Sequence, residues 1–242
     1  MSKKRQVVCL ICCREGSVRL KNKNIINFLG KPLLSYIYQN IIKSKVFDRV
    51  ILSTDGKKIA DFGKKIGFEV PGLRPKNLSK AKSNVFDTHK YIFNKLNIND
   101  KNSIVCIINN NPFIKENLIK KTFEIYKKNK YKFITTLALK TSTDQLYFKQ
   151  FKNVHGRLIP LFKKDIIKSP INSNQIKNRT FYNLGEVRWA KTNLLSSFEF
   201  YNKDLIKNGN KFTLINENKY IDIHNIHDLR HAEKLYQINY KW

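Results

Sequence analysis

A short apolar run from Gln6 to Cys13 constrains the fold of this chain more than any other feature. Apolar residues stand at nearly every position of this run, which is typical of a parallel strand buried on both faces. Further along, similar short runs alternate with segments in which apolar residues recur at a spacing near 3.6, as in amphipathic helices. Strands that alternate with helices predict an α/β fold: a mostly parallel mixed sheet with helices on both faces.

The same patterns give approximate boundaries for the individual elements. Helices are predicted at residues 33–42, 57–66, 85–96, 114–129 and 226–237. Strands are predicted at residues 49–54, 68–70, 103–108, 133–139 and 220–223. Gly67 follows the second helix, and we expect it to end that helix in the left-handed conformation.

The alternation fails in one stretch, from about residue 140 to residue 180, which is rich in Asn and Lys. Within it, residues 153–157 are typical of a hairpin turn between apolar flanks. The chain has 242 residues and no linker rich in Pro, Gly or Ser. We therefore predict one domain over residues 1–242, with a small irregular insertion at about 140–190 that serves as a dimerisation element or a lid in a homodimer.

The formal net charge of +29 first suggests a polyanionic partner. Lysines are spread along the whole chain, however, and the sequence shows neither a nucleic-acid-binding motif nor a basic stripe interleaved with aromatic residues. A basic surface equally suits an enzyme that acts on a nucleoside triphosphate and an acidic sugar. We therefore predict no nucleic-acid partner, and a nucleic-acid-binding protein is the competing hypothesis.

Hydropathy and cysteine usage both indicate a cytoplasmic protein without membrane association. No stretch approaches the roughly 18 uncharged apolar residues of a membrane span, and the first apolar run is too short for a signal peptide. Buried thiols pack as small hydrophobic side chains, and the cysteines here all lie in apolar runs: Cys9, Cys12, Cys13 and Cys106. A metal half-site at the first three would need a second Cys/His cluster at suitable spacing, and none follows.

The segment from Arg14 to Asn24 leaves the first strand at its carboxyl end, where open α/β sheets bind their ligands. Gly16 would let the backbone approach a phosphate closely, and Ser17 offers a hydroxyl and an N–H group. Positive charge for a polyphosphate comes from Arg14, Arg19, Lys21 and Lys23. The segment has neither the Gly-Lys-Ser/Thr ending of a P-loop nor the dinucleotide glycine fingerprint, and the alternative to a phosphate site is a solvated basic turn.

The spacing of Arg14, Ser17, Lys23 and Asn24 resembles the signature of the sugar-activating cytidylyltransferases, above all the CMP-N-acylneuraminate synthetases. In that group, Ala-Arg-x-x-Ser is followed after a spacer by Lys-Asn. The likeness continues in register through residues 29–33, 47–55 and 73–83, and so covers about the first ninety residues.

The resemblance implies a Rossmann-like nucleotidyltransferase fold and a reaction in which CTP and an acidic nonulosonic sugar give a CMP-sugar and pyrophosphate, for surface glycan biosynthesis. It implies that Lys23 and Arg14 are catalytic, with Lys23 stabilising charge as pyrophosphate leaves. The nucleotide-binding residues that it implies are Arg14, Gly16, Ser17, Arg19, Lys23, Asn24, Arg74 and Ser83. Displacement at an α-phosphorus needs charge neutralisation and in-line positioning more than covalent help from the protein.

The second half of the chain departs from the family pattern. The family's Gln-Pro-Thr-Ser-Pro-Leu-Arg turn is replaced by residues 109–114, and Ile114 stands in place of the arginine. Asparagine side chains can still hydrogen-bond the hydroxyls of a sugar. The substrate-binding residues that the resemblance implies are Asn109, Asn111, Gln175 and Gly185.

Asp222 and His224 stand where the family has Asp-Ile-Asp, whose two carboxylates hold Mg²⁺. The resemblance therefore implies Mg²⁺ as the cofactor, Asp222 as a catalytic metal ligand and His224 as its neighbour in the metal site. Mg²⁺ prefers a carboxylate oxygen to an imidazole nitrogen as its ligand. Asp222 alone would still hold a hydrated Mg²⁺ bridged to the triphosphate.

The histidines near the C-terminus allow another interpretation. His224 with His227, His231 and Asp228 would suit a transition metal, since imidazole is a good ligand for zinc or nickel. Asn225 and Asp228 instead predict a capping box for the last helix, which accounts for Asp228 without a metal.

Two further hypotheses keep the fold and change the function. The first is a transferase with a Kdo-like acceptor or another nucleotide, because Arg19 and Leu20 are also similar to the Ser-x-Arg-Leu of Kdo cytidylyltransferases. The second is a nucleotide-binding homologue with impaired catalysis, which Ile114 and His224 would explain.

Overall fold

The computed structural model describes residues 6–17, 19–80, 83–98, 103–131, 135–140, 150–160, 180–215 and 219–240. The strands are β1 (Val7–Cys13), β2 (Asn27–Phe28), β3 (Lys31–Pro32), β4 (Arg49–Thr54), β5 (Ile104–Ile108), β6 (Thr135–Lys140), β7 (Gln150–Val154), β8 (Arg157–Pro160), β9 (Thr180–Lys191) and β10 (Asn210–Leu214). The helices are α1 (Leu33–Ser44), α2 (Lys57–Ile66), α3 (Val85–Lys95), α4 (Glu116–Lys128), α5 (Thr192–Leu195), α6 (Phe198–Asn208) and α7 (Ile226–Asn239).

Eight of the described strands form one sheet in the order β4-β1-β5-β9-β6-β10-β8-β7, and β2 pairs with β3 separately. β1 lies between β4 and β5 and is parallel to both. β9 runs antiparallel between β5 and β6, and β10 is parallel to β6. Two strands, β8 and β9, thus oppose the common direction, and the predicted mostly parallel mixed sheet is confirmed.

Helices cover both faces of the sheet, as predicted. Cys9 and Ile11 of β1 pack into one hydrophobic cluster with residues of α1, α4 and α7. Val8 and Leu10 pack into a second cluster with residues of α3, α5 and α6. The alternation follows from the two-residue period of a strand, so β1 needs apolar side chains at successive positions.

The structure bears on the predictions made for the cysteines and for membrane spans. Cys9, Cys13 and Cys106 are buried, which confirms core packing for these thiols, whereas Cys12 is half-buried. Among the described helices, none is long and apolar enough to cross a membrane.

Most predicted elements agree closely with the observed ones, and two do not. Gly67 ends α2 with φ of 109°, as expected for a left-handed cap. Residues 68–70 form only a single parallel bridge, between Ile51 and Glu69. The strand predicted at residues 220–223 is wrong: these residues pair with none of the described strands, and the carbonyl of Ile221 accepts a hydrogen bond from Asn111 instead.

The stretch at 140–190 contributes strands to the main sheet in its described part. β7 and β8 form the predicted hairpin, whose turn holds His155 and Gly156 at φ of 49° and 73°. β9 pairs with β5, β6 and β7. Residues 141–149 and 161–179 lie outside the described ranges, and a dimerisation or lid role for the stretch stays a prediction.

Candidate active site

A cleft of about 330 Å³ opens where β1 and β5 end. It lies between the loop after β1, the turn after β5 and the segment before α7, because parallel strands bring their following loops to one edge of the sheet. The cleft brings together these residues predicted from the sequence: Arg14, Ser17, Arg19, Lys23, Asn24, Asn109, Asn111, Asp222 and His224.

Two asparagines hold the loop after β1 in shape. Asn22 adopts the left-handed conformation with φ of 56°, which turns the chain into the short 3-10 turn Lys23–Ile25. The Asn24 side-chain amide donates to the carbonyl of Arg14 at 2.9 Å. Asn24 thereby ties the two ends of the loop together and brings the side chains of Arg14 and Lys23 to the same cleft.

The turn after β5 connects the other two segments. Asn110 Nδ2 donates to the carbonyl and the Oδ1 of Asn24, at 3.1 and 3.2 Å. Asn111 is buried, and its Nδ2 donates to the carbonyl of Ile221 at 2.9 Å. Asn109 is exposed in the cleft, and its backbone N–H donates to the carbonyl of Glu186 at 2.9 Å. Of the three asparagines, Asn109 is the one whose side chain is best placed to meet a substrate.

Glu186 is a functional candidate that the sequence reasoning missed. It lies on β9, lines the cleft and is only 3% exposed. Its Oε1 accepts a hydrogen bond from the Tyr220 hydroxyl at 2.8 Å. Burial, followed by repulsion from Asp222, raises the pKa of Glu186 to about 7, against the opposing effects of Tyr220, Lys23 and Asn109. The available signal in the sequence was a lone acid inside an otherwise uncharged run at residues 184–187.

Asp222 and His224 lie side by side at the rim of the cleft. The Nε2 of His224 is 2.9 Å from the Oδ2 of Asp222, and both side chains are nearly half exposed. The Nδ1 of His224 is 3.3 Å from an Arg19 guanidinium nitrogen, so the neutral tautomer that accepts there can donate to Asp222 through Nε2. The imidazole thus links a cation of the loop after β1 to a carboxylate of the segment before α7.

The capping box predicted for the last helix is confirmed. Asn225 Oδ1 accepts from the backbone N–H groups of His227 and Asp228, and Asp228 Oδ2 accepts from those of His224 and Asn225. This network fixes the chain just after Asp222. Among the described residues, no group of three or more His, Cys, Asp or Glu side chains is arranged to hold a metal ion.

A smaller hollow of about 190 Å³ shares Cys12 and Arg14 with the cleft and contains two further predicted residues, Arg74 and Ser83. Arg74 is 7% exposed, and its guanidinium lies 3.6 Å from Asp55 and donates to Ser79 Oγ at 3.2 Å. The Ser83 hydroxyl donates to a backbone carbonyl at 2.8 Å. Both side chains hold the wall of this hollow together.

The remaining predicted residues lie around the cleft or outside the described ranges. Gly16 lies on the loop after β1, where a Cβ atom would meet nothing within 4 Å. Gly185 lies on β9 with φ of 67°, next to Glu186, and its N–H donates to Asn183. Gln175 falls in the stretch that is not described.

Several known proteins are similar to this chain. The chain is 27% identical to the pseudaminic acid cytidylyltransferase of Campylobacter jejuni subsp. jejuni serotype O:2 over 238 residues, which is 97% of each chain. It is 32% identical to the CMP-N,N'-diacetyllegionaminic acid synthase of Legionella pneumophila over 124 residues, which is 50% of this chain and 53% of that protein.

Among solved structures, a CMP:2-keto-3-deoxy-manno-octonic acid synthetase complexed with CTP matches with a TM-score of 0.72 at 16% identity, covering 95% of this chain and 98% of that one. This likeness shows the fold, and confirms the predicted Rossmann-like nucleotidyltransferase architecture. The family model described as cytidylyltransferase matches residues 8–184, which include the loop after β1, β5 and most of the elements that carry the cleft. The chain therefore belongs to the cytidylyltransferase family of nucleotidyltransferases.

Proposed function

We propose that this chain joins CTP to an acidic nonulosonic sugar, giving a CMP-sugar and pyrophosphate for the biosynthesis of surface glycans. The observation that carries the proposal is the cleft at the ends of β1 and β5, which Arg14, Arg19 and Lys23 line together with Asp222. Relatives that match nearly the whole chain are pseudaminic acid cytidylyltransferases.

The residues of the cleft suit an in-line displacement at phosphorus. The anomeric hydroxyl of the sugar would attack the α-phosphate of CTP, and pyrophosphate would leave from the opposite side. Lys23 and Arg14 would neutralise the charge that builds up on the leaving pyrophosphate, and Ser17 would bind a phosphate oxygen. Asn24 and Asn110 would keep the loop in the shape that this requires, through the hydrogen bonds described above.

Mg²⁺ is the proposed cofactor, and Asp222 fits it. Its carboxylate is 45% exposed and faces the same cleft as the cations proposed for the triphosphate. Mg²⁺ prefers oxygen ligands and is usually held by one or two carboxylates together with substrate phosphates. When bound, it would screen the phosphate charge from the attacking hydroxyl. His224 lies beside Asp222 and is the second residue proposed from the sequence.

The acceptor would lie on the side of the cleft formed by the turn after β5 and by β9. Asn109, with Asn111 supporting the turn, would contact sugar hydroxyls, and Gly185 and Gln175 are the other residues proposed for the acceptor. A Kdo-like sugar is the second candidate acceptor, because 3-deoxy-manno-octulosonate cytidylyltransferases also match at 28–29% identity over about half of the chain. We also propose that the protein acts in the cytoplasm and that it is a homodimer. Light scattering of the purified protein would test the homodimer.

The deciding experiment is an assay of pyrophosphate release. The purified protein is given CTP and Mg²⁺ with pseudaminic acid, N,N'-diacetyllegionaminic acid, an N-acylneuraminate or 3-deoxy-manno-octulosonate, and each mixture is repeated with ATP, GTP and UTP. We expect release with CTP and a nonulosonic acid. Release with 3-deoxy-manno-octulosonate alone would favour the second acceptor. Binding of CTP without release from any acceptor would contradict the proposed turnover.

A further inference from the structure

Asp55 follows β4 directly and connects two parts of the proposed nucleotide site. Its Oδ1 accepts a hydrogen bond from the backbone N–H of Glu15, on the loop after β1, at 2.9 Å. The same oxygen lies 3.6 Å from a guanidinium nitrogen of Arg74. Asp55 is not among the described residues that line the cleft or the smaller hollow, so it can act on a ligand only through the groups that it holds.

The next residue, Gly56, lets the loop after β1 approach the end of β4 closely. Its φ of −93° is one that any residue adopts, so the backbone conformation does not require glycine. The available space does require it. A Cβ atom at Gly56 would lie 2.9 Å from the Cβ of Glu15, well inside the normal separation of two carbon atoms. The loop therefore packs on the junction between β4 and α2, held by one hydrogen bond and one close contact.

Arg74 is fixed on the other side of Asp55. Its backbone N–H donates to the carbonyl of Thr54 at 2.7 Å, and its Nε donates to Ser79 Oγ at 3.2 Å. The Arg74 side chain is only 5% exposed, and a carboxylate partner offsets the hydration that such a guanidinium loses. Because one oxygen of Asp55 contacts both Arg74 and the loop after β1, it sets how far apart these two parts lie.

We infer that Asp55 and Gly56 are positioning residues for nucleotide binding. They place the loop after β1 against Arg74, so that Arg14 of that loop and Arg74 line the same hollow before the nucleotide arrives. A site that is ordered in advance binds more tightly, because the ligand does not have to order it. The inference rests on the proposed function for the identity of the nucleotide.

The sign of the effect separates positioning from charge alone. CTP is an anion, so a nearby carboxylate repels it, and removal of that carboxylate would by itself tighten binding. Positioning predicts the opposite: D55N and D55A should bind CTP more weakly, although each removes a negative charge. G56A leaves every charge in place and should also weaken binding, because its methyl group displaces Glu15 and the loop.

Isothermal titration calorimetry with CTP and Mg²⁺, without sugar, tests the inference. E69Q is the matched control, because Glu69 also pairs with an arginine, Arg49 at the other end of β4, through two hydrogen bonds. Thermal unfolding of each variant confirms that it is folded. Amide hydrogen exchange of residues 14–17 reports on the loop itself: it should be faster in D55A, which lacks the acceptor for the Glu15 N–H, and unchanged in E69Q.

We expect D55N to bind CTP about tenfold more weakly than the wild type, the size expected when a hydrogen-bonded charged partner is lost, and D55A at least as weakly. E69Q should retain the wild-type affinity. Unchanged or tighter binding by D55A, wild-type affinity in G56A, or an equal loss in E69Q would overturn the inference.

The titration also separates this inference from the proposed function. Equal binding of CTP by all variants would overturn the positioning role and leave the proposed reaction standing. Weaker binding by the Asp55 and Gly56 variants would support the positioning role whether or not an acceptor releases pyrophosphate. A wild-type protein that binds no CTP would overturn both.

Discussion

The surroundings of His89 predict how the free energy of unfolding changes with pH. It lies on α3 and is fully buried; its Nδ1–H donates to the carbonyl of Leu195 at 2.9 Å, and its Nε2 has no partner among the described residues. Burial, followed by repulsion from Arg188 and from Arg74, lowers the pKa of His89 from 6.5 to about 3. The folded protein therefore holds this imidazole neutral at pH values where the unfolded chain protonates it.

The sign and size of the effect follow from proton linkage. Between pH 6.5 and pH 3 the unfolded chain binds more protons at this residue, so stability falls as the pH falls through that range. With pKa values of 6.5 and about 3, the contribution of His89 changes by about 2 kcal/mol between pH 7 and pH 5. Glu186 acts in the opposite direction, because its raised pKa makes the folded state take up a proton in this interval. The wild-type curve alone therefore does not isolate His89.

A comparison of variants does isolate it. H89N removes the titrating ring and keeps an N–H donor near the position of Nδ1. H231Q, at an exposed position of α7, is the control for loss of an imidazole. We measure the free energy of unfolding in urea at pH 7 and pH 5, without divalent cations. The stability of the wild type relative to H89N should fall by about 2 kcal/mol from pH 7 to pH 5. The same relative stability at both pH values would refute a buried neutral imidazole.

Three further predictions concern the site and its support. K23A should slow pyrophosphate release by about 10²–10³-fold, the usual effect of removing one group that stabilises transition-state charge. K57A, on the exposed start of α2, is the control and should not slow it. Equal rates for K23A and the wild type would remove Lys23 from the mechanism. W189F should cost about 1–3 kcal/mol in urea unfolding, because the buried indole N–H of Trp189 donates to Thr122 at 2.9 Å; an unchanged midpoint would contradict this. N225A should cost about 1 kcal/mol by removing the N-cap of α7, and a variant as stable as the wild type in the same measurement would argue against the capping box.

The fold could be predicted where the local pattern and the global environment agree. β1 and β4 read as apolar runs because they are buried on both faces, and α1 and α2 read as helices because each packs one side on the sheet. β10 was not predicted, because its sequence Asn-Lys-Phe-Thr-Leu is short and polar. Its place in the sheet depends on pairing with β6, where Lys211 lies opposite Thr135, 76 positions earlier in the chain. Residues 220–223 alternate as a strand would, but the carbonyl of Ile221 accepts a hydrogen bond from the side-chain amide of Asn111 instead of from a neighbouring strand.

The candidate site was predictable in the loop after β1 and much less so elsewhere. The spacing of Arg14, Ser17 and Lys23 is local, and a single segment carries it. Glu186 lines the same cleft as Asp222 because β9 pairs antiparallel with β5, which places Val187 opposite Ile108 and so brings residue 186 to the end of the sheet. Such a register is a property of pairing between distant segments, and no spacing along the chain encodes it.

The asparagines and arginines of the site include residues that support the cleft and residues that could contact a ligand, and the sequence does not distinguish them. Asn24, Asn111 and Arg74 are each engaged with other parts of the protein: with the carbonyl of Arg14, with that of Ile221 and with Asp55. Asn111 thereby fixes the backbone next to Asp222, and Asn24 fixes the loop that carries Lys23. The geometry of the charged groups thus depends on amides that need not touch a substrate, because a cleft that binds a triphosphate must hold like charges in place before the ligand arrives to neutralise them.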